Sequence, residues 1–202
     1  MSGSSTDERL VEEAVEAIGA GRPVVLPTDT VYGLCASPLA PESLARLKGR
    51  GADQPIALLA SDVDILAELV PELPVELLRR LLPGRLTLVL PNPERRFPLL
   101  AGSRPDTIGV RVPELRGAAL RIVTRVGAVA ATSANVHGGP DPARIEDVPE
   151  EILRAVGAVV DSGALPGTPS TVMDLTGPEP QVLREGAVSA PDALALIAHT
   201  RA

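Results

Sequence analysis

The sequence has one cysteine, Cys35, in 202 residues, so it excludes an internal disulfide. It contains no tryptophan, one tyrosine and one phenylalanine, which argues against the base-stacking surfaces that single-strand nucleic-acid binders use. No apolar run approaches the roughly 18 residues of a membrane span. The opening stretch MSGSSTDERL also lacks the apolar segment of a secretory signal. We therefore expect a soluble, cytoplasmic protein with no membrane association.

Residues that commonly form metal sites are also scarce. The two histidines, His137 and His199, lie far from Cys35 and from each other in the sequence, so we expect no metal held by protein side chains. The chain has no P-loop, no glycine-rich dinucleotide fingerprint behind a strand and no nucleophile elbow. These absences exclude the common nucleotide-binding folds and serine hydrolases. Cys35 lies within an apolar segment, which favours a buried small side chain over a nucleophile.

The charge balance is acidic. There are 19 basic and 26 acidic residues, and the formal net charge is -7. This balance argues against a protein whose main task is to bind a nucleic-acid backbone, although it allows a local basic pocket. Lys48 is the only lysine in the chain, in contrast to many arginines. We therefore treat Lys48 as a candidate functional residue.

Helical and strand patterns alternate along the whole chain, which predicts one α/β domain over 1–202. Short turns can join neighbouring strands only in antiparallel pairs, which argues against a purely parallel sheet. We therefore expect a mixed sheet with flanking helices. The predicted helices cover 6–20, 41–49, 61–70, 74–82, 114–127, 146–156 and 191–200. The predicted strands cover 23–27, 31–36, 56–60, 86–91, 107–113, 128–133, 158–163, 170–175 and 181–186.

Polar residues stand at many of the predicted strand and helix ends. Taken singly, each has an ordinary structural interpretation: Thr-Asp-Thr is a turn, Lys48-Gly49-Arg50 is a basic helix end, and Thr-Ser-Ala-Asn is a set of caps. Taken together, they match an adenylation site, because cations two residues apart can face one polyphosphate while hydroxyl and amide groups fix a small substrate. The set is Thr28, Asp29, Thr30, Tyr32, Lys48, Arg50, Thr107, Arg111, Thr132, Ser133, Asn135, Ser170, Thr171 and Arg184.

Seven segments in a fixed order resemble the YrdC-like family, and the likeness runs from about residue 10 to 190. They are PTDTVYGL (27–34), LKGR (47–50) followed by QPIALL, LPGRLTLVLP (82–91), TIGVRVP (107–113), TSANVHG (132–138), PSTVMDL (169–175) and VLREG (182–186). The resemblance implies a twisted mixed sheet around a concave site. It also implies a threonylcarbamoyl-AMP synthase, a nucleotidyltransferase that joins L-threonine, bicarbonate and ATP. A partner transferase then passes the threonylcarbamoyl group to adenosine 37 of tRNA.

The family motifs assign roles to individual residues of this chain. The resemblance implies that ATP is held by Lys48, Arg50, Thr107, Ser133, Asn135 and Arg184, with Lys48 and Arg50 acting catalytically on the phosphates. It implies that L-threonine is held by Thr28, Thr30, Tyr32, Arg111 and Ser170. Magnesium is expected to bind mainly through the ATP phosphates, so the assigned residues include no metal ligand.

The chain departs from the family pattern at Gln54, Arg85, His137 and Ala143. It also resembles the short form, without the additional C-terminal domain of the longer enzymes. Two alternatives stay open: an RNA-binding module, which the net charge disfavours, and a relative that runs a different carbamoyl or adenylate reaction. Any contact with tRNA is expected to be weak.

Overall fold

Eight strands form one mixed sheet in the computed structural model, which describes residues 3–51 and 53–201. The strand order across the sheet is β1-β2-β6-β3-β5-β4-β7-β8. The pairs β3/β5 and β4/β7 are parallel, and the other neighbouring pairs are antiparallel. This arrangement confirms the predicted α/β class and mixed sheet. The strands are β1 (Val24–Pro27), β2 (Tyr32–Ala36), β3 (Ala57–Ala60), β4 (Leu86–Pro91), β5 (Thr107–Arg111), β6 (Ala128–Ser133), β7 (Thr171–Asp174) and β8 (Gln181–Arg184).

Each α-helix follows one of the predicted helical patterns. Within the described residues, no helix combines the length and the apolar character that a membrane crossing needs. Short 3-10 turns cover Pro98–Leu100 and Ile145–Asp147. The helices are α1 (Gly3–Gly19), α2 (Glu42–Lys48), α3 (Val63–Leu69), α4 (Val75–Leu81), α5 (Gly117–Val126), α6 (Glu150–Ala155) and α7 (Ala190–Arg201).

The two faces of the sheet are covered by different helices. On one face, apolar side chains of α2, α3, α4, α6 and α7 pack against alternate strand residues in the larger core, which includes Leu58, Leu88 and Val110. On the other face, α1 and α5 pack against the intervening residues, such as Val24 and Val129, in a smaller core. The alternation follows from the pleat, because successive strand side chains point to opposite faces.

The helix pair α1 and α5 covers only part of the second face. Over β4, β5 and β7 the same face carries small or polar side chains instead, including Thr87, Thr107, Gly109 and Arg111, which line an open cleft. Leu88 and Val110, the neighbours of Thr87 and Arg111 along the chain, are fully buried in the larger core on the opposite face. The cleft therefore exists because strand alternation aims these polar residues at the uncovered part of the sheet.

The prediction of a strand over 158–163 is wrong. Only Val159 forms a bridge there, to Val25 of β1. The chain then turns, since the Asp161 carboxylate accepts the N–H of Gly163 at 2.8 Å and Gly163 adopts a φ of 74°. An aspartate that bonds the backbone two residues ahead favours a turn over an extended strand.

Candidate active site

The cleft has a volume of about 370 Å³ and is lined by residues from seven strands, β2 to β8, and their connecting loops. Four arginines lie in its wall: Arg50, Arg104, Arg111 and Arg184. Among the described residues that line it, none is acidic. Arg104 and Arg111 pair with Asp174 and Asp29, whereas Arg50 and Arg184 form no ion pair among the described residues. The wall therefore keeps positive charge that suits an anionic ligand, in a chain with a net charge of -7.

Lys48 and Arg50 are placed by the end of α2. Gly49 between them ends the helix with a φ of 62°, and its N–H bonds the Arg46 carbonyl oxygen. This left-handed conformation favours glycine. It turns the chain at the helix end, so that the side chains of Lys48 and Arg50 lie in different surroundings. Lys48 is only 5% exposed, whereas Arg50 lies in the cleft wall.

Lys48 lies behind the cleft wall and fixes the loop after β6. Its Nζ donates to the Ser133 carbonyl oxygen at 2.7 Å, to the Asn135 carbonyl oxygen at 2.8 Å and to Asn135 Oδ1 at 2.5 Å. All three ammonium protons are therefore used within the protein. Burial, together with nearby Arg50, lowers the pKa of Lys48 to about 8. The ammonium is stabilised by carbonyl and amide oxygens, not by a bonded carboxylate.

Arg50 has the opposite arrangement of contacts. Its Nε and Nη2 are buried and have no hydrogen-bond partner in the described structure, although the side chain lines the cleft. Burial lowers the pKa of Arg50, but a guanidinium stays protonated in proteins. Buried N–H donors without partners are costly, so this side chain is prepared for an anion in the cleft.

The loop after β6 presents Ser133 and Asn135 in a closed network. Ser133 Oγ donates to Asn135 Oδ1 at 2.7 Å, and Asn135 Nδ2 donates to the Gly139 carbonyl oxygen at 2.7 Å. Ser133 lines the cleft, while Asn135 lies behind it and is 7% exposed. The two residues that the sequence singled out therefore lie together with Lys48, with Ser133 facing the ligand space.

Arg111 lies in the cleft wall on β5 and is 8% exposed. Its Nη2 donates to Asp29 Oδ1 at 2.5 Å and to Thr30 Oγ1 at 2.8 Å, while its Nε is buried without a partner. Burial lowers the pKa of Arg111, and the Asp29 carboxylate opposes that effect. The carboxylate partner is Asp29 of the Thr-Asp-Thr turn.

The turn at 28–32 supports Arg111 more than it lines the cleft. Thr28 lies in the cleft wall, and its Oγ1 donates to the Val31 carbonyl oxygen at 2.7 Å. Thr30 is fully buried and bonds Arg111. Neither Thr30 nor Tyr32 lines the cleft.

The Tyr32 hydroxyl is occupied by the turn at 161–163. It lies 2.8 Å from both Asp161 Oδ1 and the Gly163 carbonyl oxygen, and it accepts the Ser162 N–H at 2.9 Å. Burial, together with Asp161, raises the pKa of Tyr32 to about 12. The described contacts therefore give this hydroxyl the role of holding a neighbouring loop.

Ser170 and Arg184 meet at the far wall of the cleft. Arg184 Nη2 donates to the Ser170 carbonyl oxygen at 2.8 Å, and Ser170 Oγ lies 2.8 Å from Thr87 Oγ1. Gly186 makes this approach possible, since a Cβ there would lie 2.2 Å from the Pro169 carbonyl oxygen. A larger residue at Gly186 would push β8 and Arg184 away from Ser170.

Thr107 and Arg104 close the cleft at the start of β5. Thr107 Oγ1 donates to the Arg104 carbonyl oxygen at 2.9 Å. The Arg104 side chain bonds Asp174 Oδ2 at 2.6 Å and Thr176 Oγ1 at 2.9 Å, so it joins this loop to the end of β7.

Asp29 was among the polar candidates from the sequence but had no individual role, and Thr87 and Arg104 were not among them. A signal was present for Thr87, because it is a polar residue at an alternate position of an otherwise apolar strand. Of the residues that were assigned, the cleft wall contains Thr28, Arg50, Thr107, Arg111, Ser133, Ser170 and Arg184. Those that lie behind it are Thr30, Tyr32, Lys48 and Asn135.

The Sua5/YciO/YrdC family model, whose description reads "Telomere recombination", matches residues 16–186. The chain belongs to this family. A Mycobacterium tuberculosis protein with the provisional name threonylcarbamoyl-AMP synthase is 38% identical over 189 residues, which cover 90% of this chain and 86% of that protein. The threonylcarbamoyl-AMP synthase of Pyrococcus abyssi is 37% identical over 187 residues, which cover 89% of this chain but 55% of the relative. The resemblance to the YrdC-like family is thereby confirmed.

Solved structures of relatives share the fold. The structure of P. abyssi Sua5 complexed with L-threonine superposes with a TM-score of 0.83 and 34% identity, covering 95% of this chain and 58% of that one. Escherichia coli YciO gives a TM-score of 0.77 and 26% identity, covering 89% of this chain and 90% of that one. The chain therefore spans little more than half of the archaeal protein and most of YciO.

Proposed function

We propose that this protein is a threonylcarbamoyl-AMP synthase, which makes threonylcarbamoyl-adenylate and pyrophosphate from L-threonine, bicarbonate and ATP. The product would serve the threonylcarbamoyl modification of adenosine 37 in tRNA through a partner transferase. The observation that carries the proposal is the cleft wall, in which four arginines and no described acidic residue face the ligand space. Support also comes from the relatives, which are named for this synthase, and from the P. abyssi structure, whose title names L-threonine.

We assign ATP to Arg50, Ser133, Thr107 and Arg184, of which Arg184 also contacts Ser170 and so lies where the two proposed ligands meet. Arg50 Nε and Nη2 have no hydrogen-bond partner among the described residues, which makes them natural donors for the phosphate oxygens. Lys48 and Asn135 belong to the same proposed site. Lys48 supplies positive charge, and Asn135 orients the Ser133 hydroxyl.

We assign L-threonine to the side that contains Arg111, Thr28 and Ser170. The unpartnered Nε of Arg111 is a donor for the carboxylate of the amino acid. Thr30 and Tyr32 keep a place in the proposal as supports of this side, since Thr30 bonds Arg111 and Tyr32 fixes the adjoining turn. The Ser170 hydroxyl, which lies 2.8 Å from Thr87 Oγ1, is the candidate to read the hydroxyl of threonine, while the Thr28 hydroxyl is engaged by its own turn and shapes this part of the wall.

The proposed reaction requires two anions to be held together. The amine of threonine and bicarbonate form a carbamate with loss of water. A carbamate oxygen then attacks the α-phosphorus of ATP, the bond from that phosphorus to the bridging oxygen breaks, and pyrophosphate leaves. Arginine side chains on both sides of the cleft hold the reactants close and stabilise the charge that develops on the pyrophosphate. No covalent intermediate on a protein side chain is needed.

Within the described residues, no group of three or more His, Cys, Asp or Glu side chains could hold a metal ion. The carboxylates nearest to the arginines are also occupied, as Asp29 and Asp174 are in ion pairs. These side chains do not fit a protein-held magnesium site, so we derive no step through the metal. We assign Mg²⁺ to the ATP phosphates, which it binds while keeping water ligands.

The direct test is synthesis of threonylcarbamoyl-adenylate by the purified protein. L-threonine, ¹⁴C-bicarbonate and ATP with Mg²⁺ are incubated with it, and the adenylate and pyrophosphate are measured together. We expect both products in equal amounts only when all three substrates are present. Pyrophosphate release that does not depend on threonine, or the absence of the adenylate in a folded protein, would overturn the proposal. The matched controls omit one substrate at a time and replace L-threonine by L-valine, which lacks the hydroxyl.

A further inference from the structure

Among the ion pairs of the described residues, the pair between Arg111 and Asp29 is the most enclosed. The side chains are 10% and 6% exposed, and the Nη2 to Oδ1 distance is 2.5 Å. By contrast, the ion pair between Arg79 and Asp64 has a similar distance of 2.6 Å, but its side chains are 53% and 72% exposed. Exposed pairs contribute little, whereas removal of one partner from a buried pair leaves a costly uncompensated charge.

The contacts of Asp29 leave it little freedom to move. Its Oδ1 accepts from Arg111, and its Oδ2 accepts the backbone N–H of Glu114 at 3.3 Å. The carboxylate therefore joins Arg111 at the end of β5 to the chain that follows the same strand. It lies in the turn between β1 and β2, so its two contacts tie that turn to β5 and to the segment after β5.

The hydrogen-bond inventory of the Arg111 guanidinium defines what remains for a ligand. Both Nη2 protons are used, one by Asp29 and one by Thr30. Among the described residues, neither Nε nor Nη1 has a hydrogen-bond partner, and Nε is buried in a side chain that lines the cleft. A guanidinium is planar and rigid, so fixing Nη2 also fixes the direction of the Nε–H bond.

We infer that Asp29 is a positioning residue for the amino-acid substrate: by holding Nη2 of Arg111, it keeps the remaining N–H donors of that guanidinium, at Nε and Nη1, directed at the substrate carboxylate. This inference rests on the proposed function, since it takes the carboxylate to be that of L-threonine. Asp29 does not touch the substrate. It sets the affinity for threonine through Arg111 and has no part in binding ATP.

Two variants test the inference. Asp29→Asn keeps an oxygen acceptor but removes the charge, and Thr30→Val removes the second Nη2 acceptor with almost no change of shape. We expect Asp29→Asn to raise the KM and the calorimetric Kd for L-threonine by about tenfold or more, because small misplacements of a positioning group have large effects. The KM for ATP should stay within about twofold. Thr30→Val should change the same parameters in the same direction by a smaller factor.

Asp64→Asn is the matched control, because it breaks an arginine pair on the surface between α3 and α4 and should leave both KM values unchanged. Equal losses for threonine and ATP in Asp29→Asn, unchanged threonine affinity, or tighter threonine binding would each overturn the inference. If Asp29→Asn does not fold, as judged by its melting temperature, Thr30→Val alone decides by the same criterion. Failure of the wild-type protein to form the adenylate would refute the proposed function instead.

Discussion

The two ends of the cleft differ in whether a carboxylate balances their positive charge. At the Lys48 end, which comprises Lys48, Arg50, Ser133 and Asn135, the cations have no bonded carboxylate in the described structure: Lys48 is held by neutral oxygens and Arg50 has free donors. At the Arg111 end, which comprises Arg111, Asp29 and Thr30, a carboxylate balances the cation. The first end therefore keeps its positive charge for a polyanion, whereas the second suits a ligand of low net charge such as a zwitterionic amino acid.

The largest effect is expected at Arg50. Arg50→Ala should lower kcat/KM for ATP by a factor that corresponds to ~2–4 kcal/mol of lost transition-state stabilisation, because phosphate oxygens lose a charged partner. The change should leave threonine binding nearly intact, which steady-state kinetics and calorimetry can measure separately. Arg46→Ala, an exposed site on the same helix, is the control and should behave as the wild type. Normal turnover and ATP affinity in Arg50→Ala would remove the distinction between the two ends.

Lys48→Met should lower both ATP use and the melting temperature. Three buried oxygen acceptors lose their donor, which should reduce the free energy of unfolding by ~1–3 kcal/mol. Lys48→Arg should restore charge without the three-way contact, and so recover activity only in part. Full activity in Lys48→Met at unchanged stability would refute the role of Lys48 in the site.

The pH dependence of the Lys48 end has a defined sign. Burial lowers the pKa of Lys48 from 10.5 to about 8, so ATP affinity should fall as the pH rises through about 8 and the ammonium loses its charge. Between about pH 8 and pH 10.5, Lys48 is mostly protonated in the unfolded chain and mostly neutral in the folded chain. The contribution of Lys48 to the free energy of unfolding therefore rises with pH while ATP binding weakens. A wild-type ATP affinity that is flat from pH 7 to 9 would contradict this prediction.

Arg111→Lys tests the other end. Lysine keeps the charge and can still pair with Asp29, but it lacks the planar group that bonds Asp29, Thr30 and a ligand at once. We expect a loss of threonine affinity of ~1–3 kcal/mol with little change for ATP, measured by titration calorimetry. Unchanged threonine affinity in a folded Arg111→Lys protein would mean that Arg111 serves only the fold.

The smallest effect is expected for Tyr32→Phe, since its hydroxyl contacts the turn at 161–163 and not the cleft wall. Loss of these hydrogen bonds should cost ~1 kcal/mol of stability, seen as a lower melting temperature. Threonine affinity should change little. A large, selective loss of threonine binding would instead show that the Tyr32 hydroxyl contacts the substrate and belongs to the Arg111 end.

Prediction from the sequence succeeded where the signal was local. The apolar patterns of LTLVLP and TIGVRVP predicted β4 and β5. It failed at 158–163, because an apolar start was read as a strand although Asp161 and Gly163 turn the chain. Turn-forming contacts of this kind compete with a strand that has only one partner, here β1.

The sequence alone determined the α/β class, the family and most of the polar residues around the cleft, because strand alternation and short motifs are encoded within a few residues of each other. Only the tertiary structure decided which of these residues face the ligand space and which stand behind it. Lys48 and Asn135 meet across 87 residues, and Arg111 and Asp29 across 82, so no local pattern reports these pairings. The functional difference between Arg50 and Lys48, two positions apart, arises because burial and hydrogen bonding are properties of the packed chain.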